Sequence, residues 1–125
     1  MPKLSSADKE LFVDFMRHAT PHRQWVKFSF GEVYFRKTRH YIAGNFINTL
    51  DIATIAIKDS CQGKGYFTAL LKFIEFHCLS IRRTIYIENV QTKRFSEFFS
   101  KHGYTFKPTM PDSNINELPH CYYKN

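Results

Sequence analysis

The sequence predicts a single α+β domain (residues 1–125), built as a mixed, mostly antiparallel sheet with helices on its faces. Two observations predict this class. The chain has 125 residues, of which 43% are hydrophobic and 17% aromatic, which is enough for one core without disulfides or metals. Amphipathic segments with helical spacing also alternate with β-branched and aromatic segments.

The first half of the chain begins with a helix and continues as strands. Ser5 or Ser6 can cap a helix that runs to about Ala19. The segment from Trp25 to Ile47 is rich in aromatic and β-branched residues, which predicts two or three antiparallel strands. The charged run from Arg36 to His40 within this segment is predicted to form an exposed hairpin tip, with His40 at the surface.

The second half alternates strands and helices. The run 50–57 is nearly continuously apolar, so it is predicted to be a central strand. Residues 65–80 form an apolar helix that is expected to be widely covered, Phe73 and Phe76 included. Thr92 can begin a helix to His102 with Phe95, Phe98 and Phe99 facing inward. The remaining predictions are strands at Thr84–Asn89, Tyr104–Lys107 and His120–Lys124, and a loop from Pro108 to Pro119.

The charge and the cysteines narrow the class of partner and the compartment. Lys and Arg number 18 against 11 Asp and Glu, which gives a net charge of +7 and favours an acidic partner. The three cysteines, Cys61, Cys78 and Cys121, are far apart and predict a reducing, cytoplasmic location rather than a disulfide or zinc scaffold. No segment approaches the roughly 20 apolar residues that a membrane span needs.

The segment from Gln62 to Thr68 carries the most specific signal. Gly63 and Gly65 lie between a predicted strand and the start of a helix, where backbone amides and the helix dipole can hold a phosphate. The pattern is neither a Walker A motif nor a dinucleotide fingerprint, whose third glycine would stand at Thr68. The two glycines alone are also compatible with an ordinary strand–helix turn.

The surrounding residues resemble a known family. The run LDIATIAIKDSCQGKGYFTALLKF, residues 50–73, resembles motif A of the GCN5-related N-acetyltransferase (GNAT) superfamily. The run IYIENVQTKRFSEFFSKHGYTF, residues 85–106, resembles the strand and helix that follow motif A in that family. The two runs stand in the family's order and spacing over nearly half of the chain. Phe67 departs from the pattern, since the family has a small residue there.

The resemblance implies a GNAT-like fold and transfer of an acetyl group from acetyl-CoA to an amine by direct attack in a ternary complex. Acetyl-CoA, or another acyl-CoA, would lie between the strands 50–57 and 84–89. The net charge of +7, not the resemblance, favours an acceptor amine on an acidic protein, an RNA or another macromolecule. The residues implied to bind the cofactor are Ile55, Ala56, Ile57, Gln62, Gly63, Lys64, Gly65, Tyr66, Phe67, Thr68, Asn89 and Phe99.

Two carboxylates are candidates for proton transfer from the amine. Asp51 interrupts an apolar strand, where a charge is unfavourable unless it is used or lies at a wet end. The resemblance places it where histone-type members have a glutamate base. Glu88 ends the next strand and is the second candidate, although either residue could instead be an ordinary strand-end carboxylate. Phe99 stands where many members have a tyrosine acid, which leaves Tyr66, Tyr86 and Tyr104 as substitutes.

Two other functions remain open on the sequence alone. Phe67 and Phe99 favour a catalytically weak regulator that binds acyl-CoA without turnover. The basic hairpin tip, with Arg36, Lys37 and Arg39 among aromatic residues, favours a nucleic-acid-binding module. No metal is predicted, because the histidines and cysteines lack ligand spacing.

Overall fold

The computed structural model describes residues 3–90, 92–107 and 120–125, so the loop predicted from Pro108 to Pro119 lies outside the described residues. Three α-helices and six β-strands lie within these ranges. Their bounds are α1 Ser6–Arg17, β1 Arg23–Phe28, β2 Gly31–Ile42, β3 Asn45–Ile57, α2 Tyr66–Ser80, β4 Thr84–Val90, α3 Lys93–Lys101, β5 Thr105–Lys107 and β6 His120–Lys124.

Helix α1 begins where the sequence predicts and is fixed to the sheet by a buried carboxylate. The Ser5 hydroxyl accepts a hydrogen bond from the Asp8 amide at 3.1 Å, which satisfies one free N–H of the first turn. The Asp8 carboxylate accepts bonds from both the amide and the hydroxyl of Ser29, in the turn between β1 and β2. The helix ends at Arg17, two residues before the predicted end at Ala19.

The predicted hairpin tip is wrong. Arg36 to His40 lie in the middle of the 12-residue strand β2, and the turn to β3 is formed by Ala43 and Gly44, both with positive φ. The charged run fits a strand because its side chains alternate between faces and find partners. The Lys37 ammonium, for example, donates to the carbonyls of Phe15 and His18 at the end of α1.

The strands form one mixed sheet in the order β1-β2-β3-β4-β6-β5. The β3–β4 pair is parallel, and the other four pairs are antiparallel. This arrangement confirms the predicted mixed, mostly antiparallel sheet. Strand β3 begins at Asn45, earlier than the predicted Leu50, because the hairpin with β2 extends its ladder to the Ile42–Asn45 pair.

The described helices pack on one face of the sheet. Phe12 of α1 contacts Phe35 and also Phe73 of α2, and Phe99 of α3 contacts Tyr122. Residues directly opposite on neighbouring strands share a face. One such row runs across β2, β3, β4 and β6 and meets all three helices: Phe35, Ile52, Ile87 and Tyr122.

The other face carries a polar row of residues, and none of the described helices packs on it. We call this surface the open face. Its row lies across the same four strands and consists of Arg36, Asp51, Tyr86 and Tyr123. Apolar and polar residues alternate along the strands, and this alternation separates the core from the open face.

Aromatic residues of α2 and α3 are less covered than predicted. Phe99 is buried as expected, but Phe95 is 40% exposed and Phe76 is 75% exposed. Phe95 lies beside a cavity instead of inside the core. In the described part of the chain, no helix is long and apolar enough to cross a membrane.

Candidate active site

Strands β3 and β4 separate after four residue pairs. Their parallel pairing runs from Thr49–Thr84 to Ile52–Ile87, and no later pair forms between them in the described ranges. Ala53 is an extra residue in β3, because β2 pairs Tyr34 with Thr54 but Phe35 with Ile52. A β-bulge of this kind bends its strand, and a second irregularity follows Ile87 in β4. The two bulges therefore account for a split between the strands, which begins just after Ile52.

The loop after β3 has the backbone geometry that the two glycines permit. Gly63 and Gly65 have φ values of 73° and 85°, in the left-handed region that other residues rarely adopt. Gly65 is the N-cap of α2, whose first amides have no partner within the helix. The Gln62 side chain donates to the Ile57 carbonyl at 3.1 Å and so closes the loop onto the end of β3.

A cavity of about 410 Å³ lies between this loop, the end of β3 and α3. It contains eight of the twelve residues that the sequence proposes for cofactor binding: Ile55, Ile57, Gln62, Gly63, Gly65, Tyr66, Phe67 and Thr68. Cys61, Arg94, Phe95 and Phe98 complete the wall. The wall of the cavity is mostly apolar and carries one positive charge, that of Arg94. Such a wall suits a nucleotide cofactor with an apolar chain and phosphate groups.

Four proposed cofactor residues do not line this cavity. Ala56 and Lys64 are exposed, and the side chain of Asn89 lies outside the described part of the structure. Phe99 is 1% exposed and packs in the core against Phe67 and Tyr104. The sequence pattern places the loop residues at this cavity but does not show which side of α3 meets it. Phe95 and Phe98 do so, as the cavity wall shows.

The tyrosines proposed as proton donors occupy different environments. Tyr66 lies in the cavity wall with its ring stacked on Phe30. Burial raises the pKa of Tyr86 and that of Tyr104 well above the ordinary range. The Tyr104 hydroxyl already donates to the Glu75 carboxylate at 2.8 Å. Of the three, Tyr66 is therefore the one beside the cavity.

Asp51 is fully buried at the closed end of the split, with both carboxylate oxygens in hydrogen bonds. The Thr49 hydroxyl donates to Oδ1 at 2.7 Å, and His40 Nε2 lies 2.7 Å from Oδ2. These partners offset the cost of placing a carboxylate inside the sheet. The His40 ring also stacks on Tyr86 at 3.7 Å between centroids, so its expected surface position is wrong.

Glu88 lies beside the same cluster. It forms an ion pair with Arg36, and its Oε1 is 3.8 Å from His40 Nε2. A cavity of about 480 Å³ on the open face is lined by both carboxylates together with His40 and Arg36. The structure therefore brings Asp51 and Glu88 to one site and adds His40, which sequence reasoning missed.

The cluster can accept and pass protons. One imidazole nitrogen of His40 and one carboxylate oxygen from each of Asp51 and Glu88 lie within 4.8 Å of one another. That spacing would also suit a divalent cation, although the Arg36 guanidinium already supplies a positive charge beside Glu88. No local pattern could have indicated His40, because 11 residues and a strand crossing separate it from Asp51.

The mixed sheet, the split parallel pair and the glycine loop at the start of α2 resemble the fold of the GNAT acetyltransferases, and the structural comparisons support this. No family model matches the sequence, and no curated protein sequence matches it significantly. The fold matches solved structures of GNAT acetyltransferases, each with a match probability of 1.00.

Three of these structures show the extent of the likeness. The AtaT Y144F toxin, bound to the C-terminus of the antitoxin AtaR and acetyl-CoA, has a TM-score of 0.51 and 18% identity over 76% of this chain and 57% of its own. Naa50 of Arabidopsis thaliana, with the bisubstrate analogue CoA-Ac-MVNAL, has a TM-score of 0.52 and 24% identity over 77% and 65%. Ard1 of Thermoplasma volcanium has a TM-score of 0.51 and 14% identity over 98% and 92%.

These identities establish a shared fold and not a shared substrate. The chain also spans less than two thirds of the AtaT and Naa50 chains that it resembles.

Proposed function

We propose that this protein is an N-acetyltransferase that moves an acetyl group from acetyl-CoA to an amine by direct attack in a ternary complex. The observation that carries the proposal is the cavity of about 410 Å³ between the Gly63–Gly65 loop, α3 and the part of β3 that lies beyond its pairing with β4. AtaT and Naa50, which share the fold, have been solved with acetyl-CoA and with a CoA-based bisubstrate analogue.

The cofactor would enter along the cavity. The edge of β3 from Ile55 to Ile57 faces the split and can pair with the amides of a pantetheine arm. The amides at the start of α2 would bind the pyrophosphate, with Arg94 as the nearby charge. A backbone amide of the same strand edge would polarise the acetyl carbonyl. No covalent acyl-enzyme is needed, since the amine attacks the thioester itself.

The Asp51 cluster would remove the proton of the amine. Asp51 has no exposed surface, so it would act through His40 or through a water molecule rather than by direct contact. Glu88 is partly exposed in the same cavity and is the second acceptor. A general base at this place raises the fraction of neutral amine at the thioester, which typically contributes about 10²- to 10⁴-fold to the rate.

The acceptor in this proposal is an amine on a macromolecule. A solved AtaT complex contains acetyl-methionyl-tRNAfMet, and the Naa50 analogue contains the peptide sequence MVNAL. An acetylated aminoacyl-tRNA and a peptide analogue bound on this fold support the class. The proposal includes one domain for residues 1–125 and a cytoplasmic location, where three free thiols persist.

A regulator that binds acyl-CoA without turnover is the second candidate function. Phe99 favours it, because a buried phenylalanine in place of a tyrosine acid cannot donate a proton to the thiolate. A thiolate is a fairly stable leaving group, since a free thiol has a pKa of about 8.5, so an enzyme without that acid remains chemically reasonable.

Calorimetric titration with acetyl-CoA, desulfo-CoA and ADP tests the shared part of both candidates. Micromolar binding of acetyl-CoA, and weaker binding of ADP, is expected. Absence of binding at millimolar acetyl-CoA would remove both candidates. Turnover with a peptide amine or an aminoacyl-RNA then separates them: the enzyme releases CoA in an acceptor-dependent manner, and the regulator does not.

A further inference from the structure

The open face holds a basic and aromatic surface that the chemistry at the split does not use. We propose that this surface binds a single-stranded nucleic acid and guides an amine at its end to the Asp51 cluster. The binding part of this inference stands on the structure alone. The delivery of an amine rests on the proposed acetyltransferase function.

Two arginines lie directly opposite each other on β1 and β2. Arg23 pairs in register with Arg36, and like charges in that position repel. Glu88 balances Arg36, but among the described residues no carboxylate lies within ion-pair distance of the exposed Arg23. The Nε atom of Arg36 is buried and has no hydrogen-bond partner. A phosphate between the two guanidinium groups would relieve the repulsion.

An aromatic pair lies two residues further along the same strands. Trp25 is opposite Tyr34, with their ring centroids 5.3 Å apart, and Trp25 is 42% exposed. Alternation places this pair on the same face as Arg23 and Arg36. An exposed ring beside a phosphate site is how proteins bind single strands, since each stacked base contributes about 1–3 kcal/mol.

The cavity at the Asp51 cluster also contains both arginines, Arg23 and Arg36. A second cavity, also about 480 Å³, shares His22, Lys37 and Thr38 with it, but Lys37 and Arg39 alternate with Arg36 and lie on the helix face. The second cavity contains Arg17, Arg39 and Arg83 but no Asp or Glu among its described lining residues. That basic cavity therefore lies on the helix side of the sheet, and on the open face Arg23 and Arg36 stand beside the proposed catalytic cluster.

The side chains favour a nucleic acid over an acidic protein. The unpaired cation here is the arginine Arg23, whose planar fork matches phosphate oxygens, whereas Lys37 is bound to backbone carbonyls. An acidic peptide would bind the arginines but would not need the Trp25–Tyr34 pair next to them. A nucleic acid uses both features, because its phosphates bind the arginines and its bases stack on the rings. The chain has no other tryptophan.

This single tryptophan makes the proposal directly measurable. Titration of the full chain with a short oligouridylate, followed by Trp25 fluorescence, is expected to show quenching. Two guanidinium groups, those of Arg23 and Arg36, predict a slope of log K against log salt of about −1.4, at ~0.7 per phosphate contact on a single strand.

Arg23→Glu tests the site, and Lys72→Glu, on an exposed position of α2, is the matched control. Arg23→Glu is expected to weaken binding and to reduce the slope by at least about 0.7, while Lys72→Glu leaves the slope unchanged. Equal loss in both variants would show that only the net charge matters and would overturn the proposal. So would the absence of quenching, or tighter binding of polyglutamate than of oligouridylate.

The two proposals fail separately. Acetyl-CoA affinity, measured by calorimetry on the same Arg23→Glu protein, is expected to equal that of the original chain. Oligouridylate binding without acetyl-CoA binding would leave the nucleic-acid site standing and remove the acetyltransferase. Acetyl-CoA binding without oligouridylate binding would do the reverse.

Discussion

His40 Nε2 lies 2.7 Å from Oδ2 of Asp51, although the two residues do not face each other in the β2–β3 ladder. His40 is opposite Ile47, and Asp51 is opposite Arg36. The imidazole of His40 stacks on the Tyr86 ring and extends along β2 to reach the Asp51 carboxylate. A buried charge in the central strand is thereby hydrogen-bonded on both oxygens, and the pair reaches the cavity that also holds Glu88.

Replacing the carboxylate of Asp51 should abolish proton transfer without disturbing the cofactor. Asp51→Asn is expected to lower acetyl transfer by about 10²- to 10⁴-fold, the usual contribution of a general base. Acetyl-CoA affinity should stay unchanged, because Asp51 does not line the cofactor cavity. The matched control is Asp14→Asn on the exposed side of α1. Steady-state kinetics and calorimetry check both, and full activity in Asp51→Asn would exclude this residue.

His40→Gln tests whether the imidazole carries the proton out of the buried site. We expect a loss of turnover comparable with that in Asp51→Asn, again with unchanged acetyl-CoA affinity. The double variant should be no slower than either single variant if the two residues act as one unit. Additive losses in the double variant would instead assign them separate roles.

Arg94 should contribute to cofactor affinity, whereas its neighbour Lys93 should not. Both residues begin α3, but only Arg94 lies in the wall of the cofactor cavity. Arg94→Ala is expected to weaken acetyl-CoA binding by at least about tenfold, since a hydrogen bond to a charged group contributes ~1.5–3 kcal/mol. Lys93→Ala is the control and should change affinity little. Equal effects in calorimetry would mean that Arg94 does not contact the phosphates.

The three cysteines should differ in alkylation rate, and the cofactor should protect one of them. Burial raises the pKa of the Cys78 thiol to about 12, so at pH 8 it stays protonated and unreactive until the chain unfolds. Cys61 lies in the cavity wall, and Cys121 lies in β6. Mass spectrometry after iodoacetamide treatment should show that desulfo-CoA slows modification of Cys61 but not of Cys121. Unprotected Cys61 at saturating ligand would contradict the assigned cavity.

Gly31 should be far more sensitive to substitution than Gly44. A Cβ atom at Gly31 would stand 2.3 Å from the Ala56 carbonyl oxygen, in the β2–β3 ladder, where neither backbone can move freely. Gly31→Ala should therefore cost at least ~2 kcal/mol of unfolding free energy. At Gly44 no atom lies within 4 Å, so Gly44→Ala pays only the left-handed backbone cost of about 1–2 kcal/mol. Urea denaturation measures both, and a smaller loss at Gly31 would contradict this register.

Features that depend on local backbone chemistry were predictable. Ser5 and Thr92 cap their helices as expected, because the donors that they satisfy lie three residues away. The Gly63–Gly65 loop was also predictable, since only glycine adopts these φ values at little cost. The strand from Leu50 to Ile57 was recognisable from its own apolar run, although its true beginning was not.

Features that depend on strand register were not predictable. Arg36 to His40 have the composition of an exposed tip, and only pairing with β3 places them inside a strand. The choice of Phe95 and Phe98 over Phe99 as cavity residues depends on how α3 is rotated against α2.

The sequence by itself determined the caps, the glycine loop and the apolar strand that leads into it, because each depends on interactions within a few residues. Only the tertiary structure decided that His40, Asp51 and Glu88 meet, that the described helices share one face, and that Arg23 and Trp25 lie on the other. These residues come from different strands. Their proximity follows from the ladder registers and the two bulges, which depend on the whole sheet and not on any local segment.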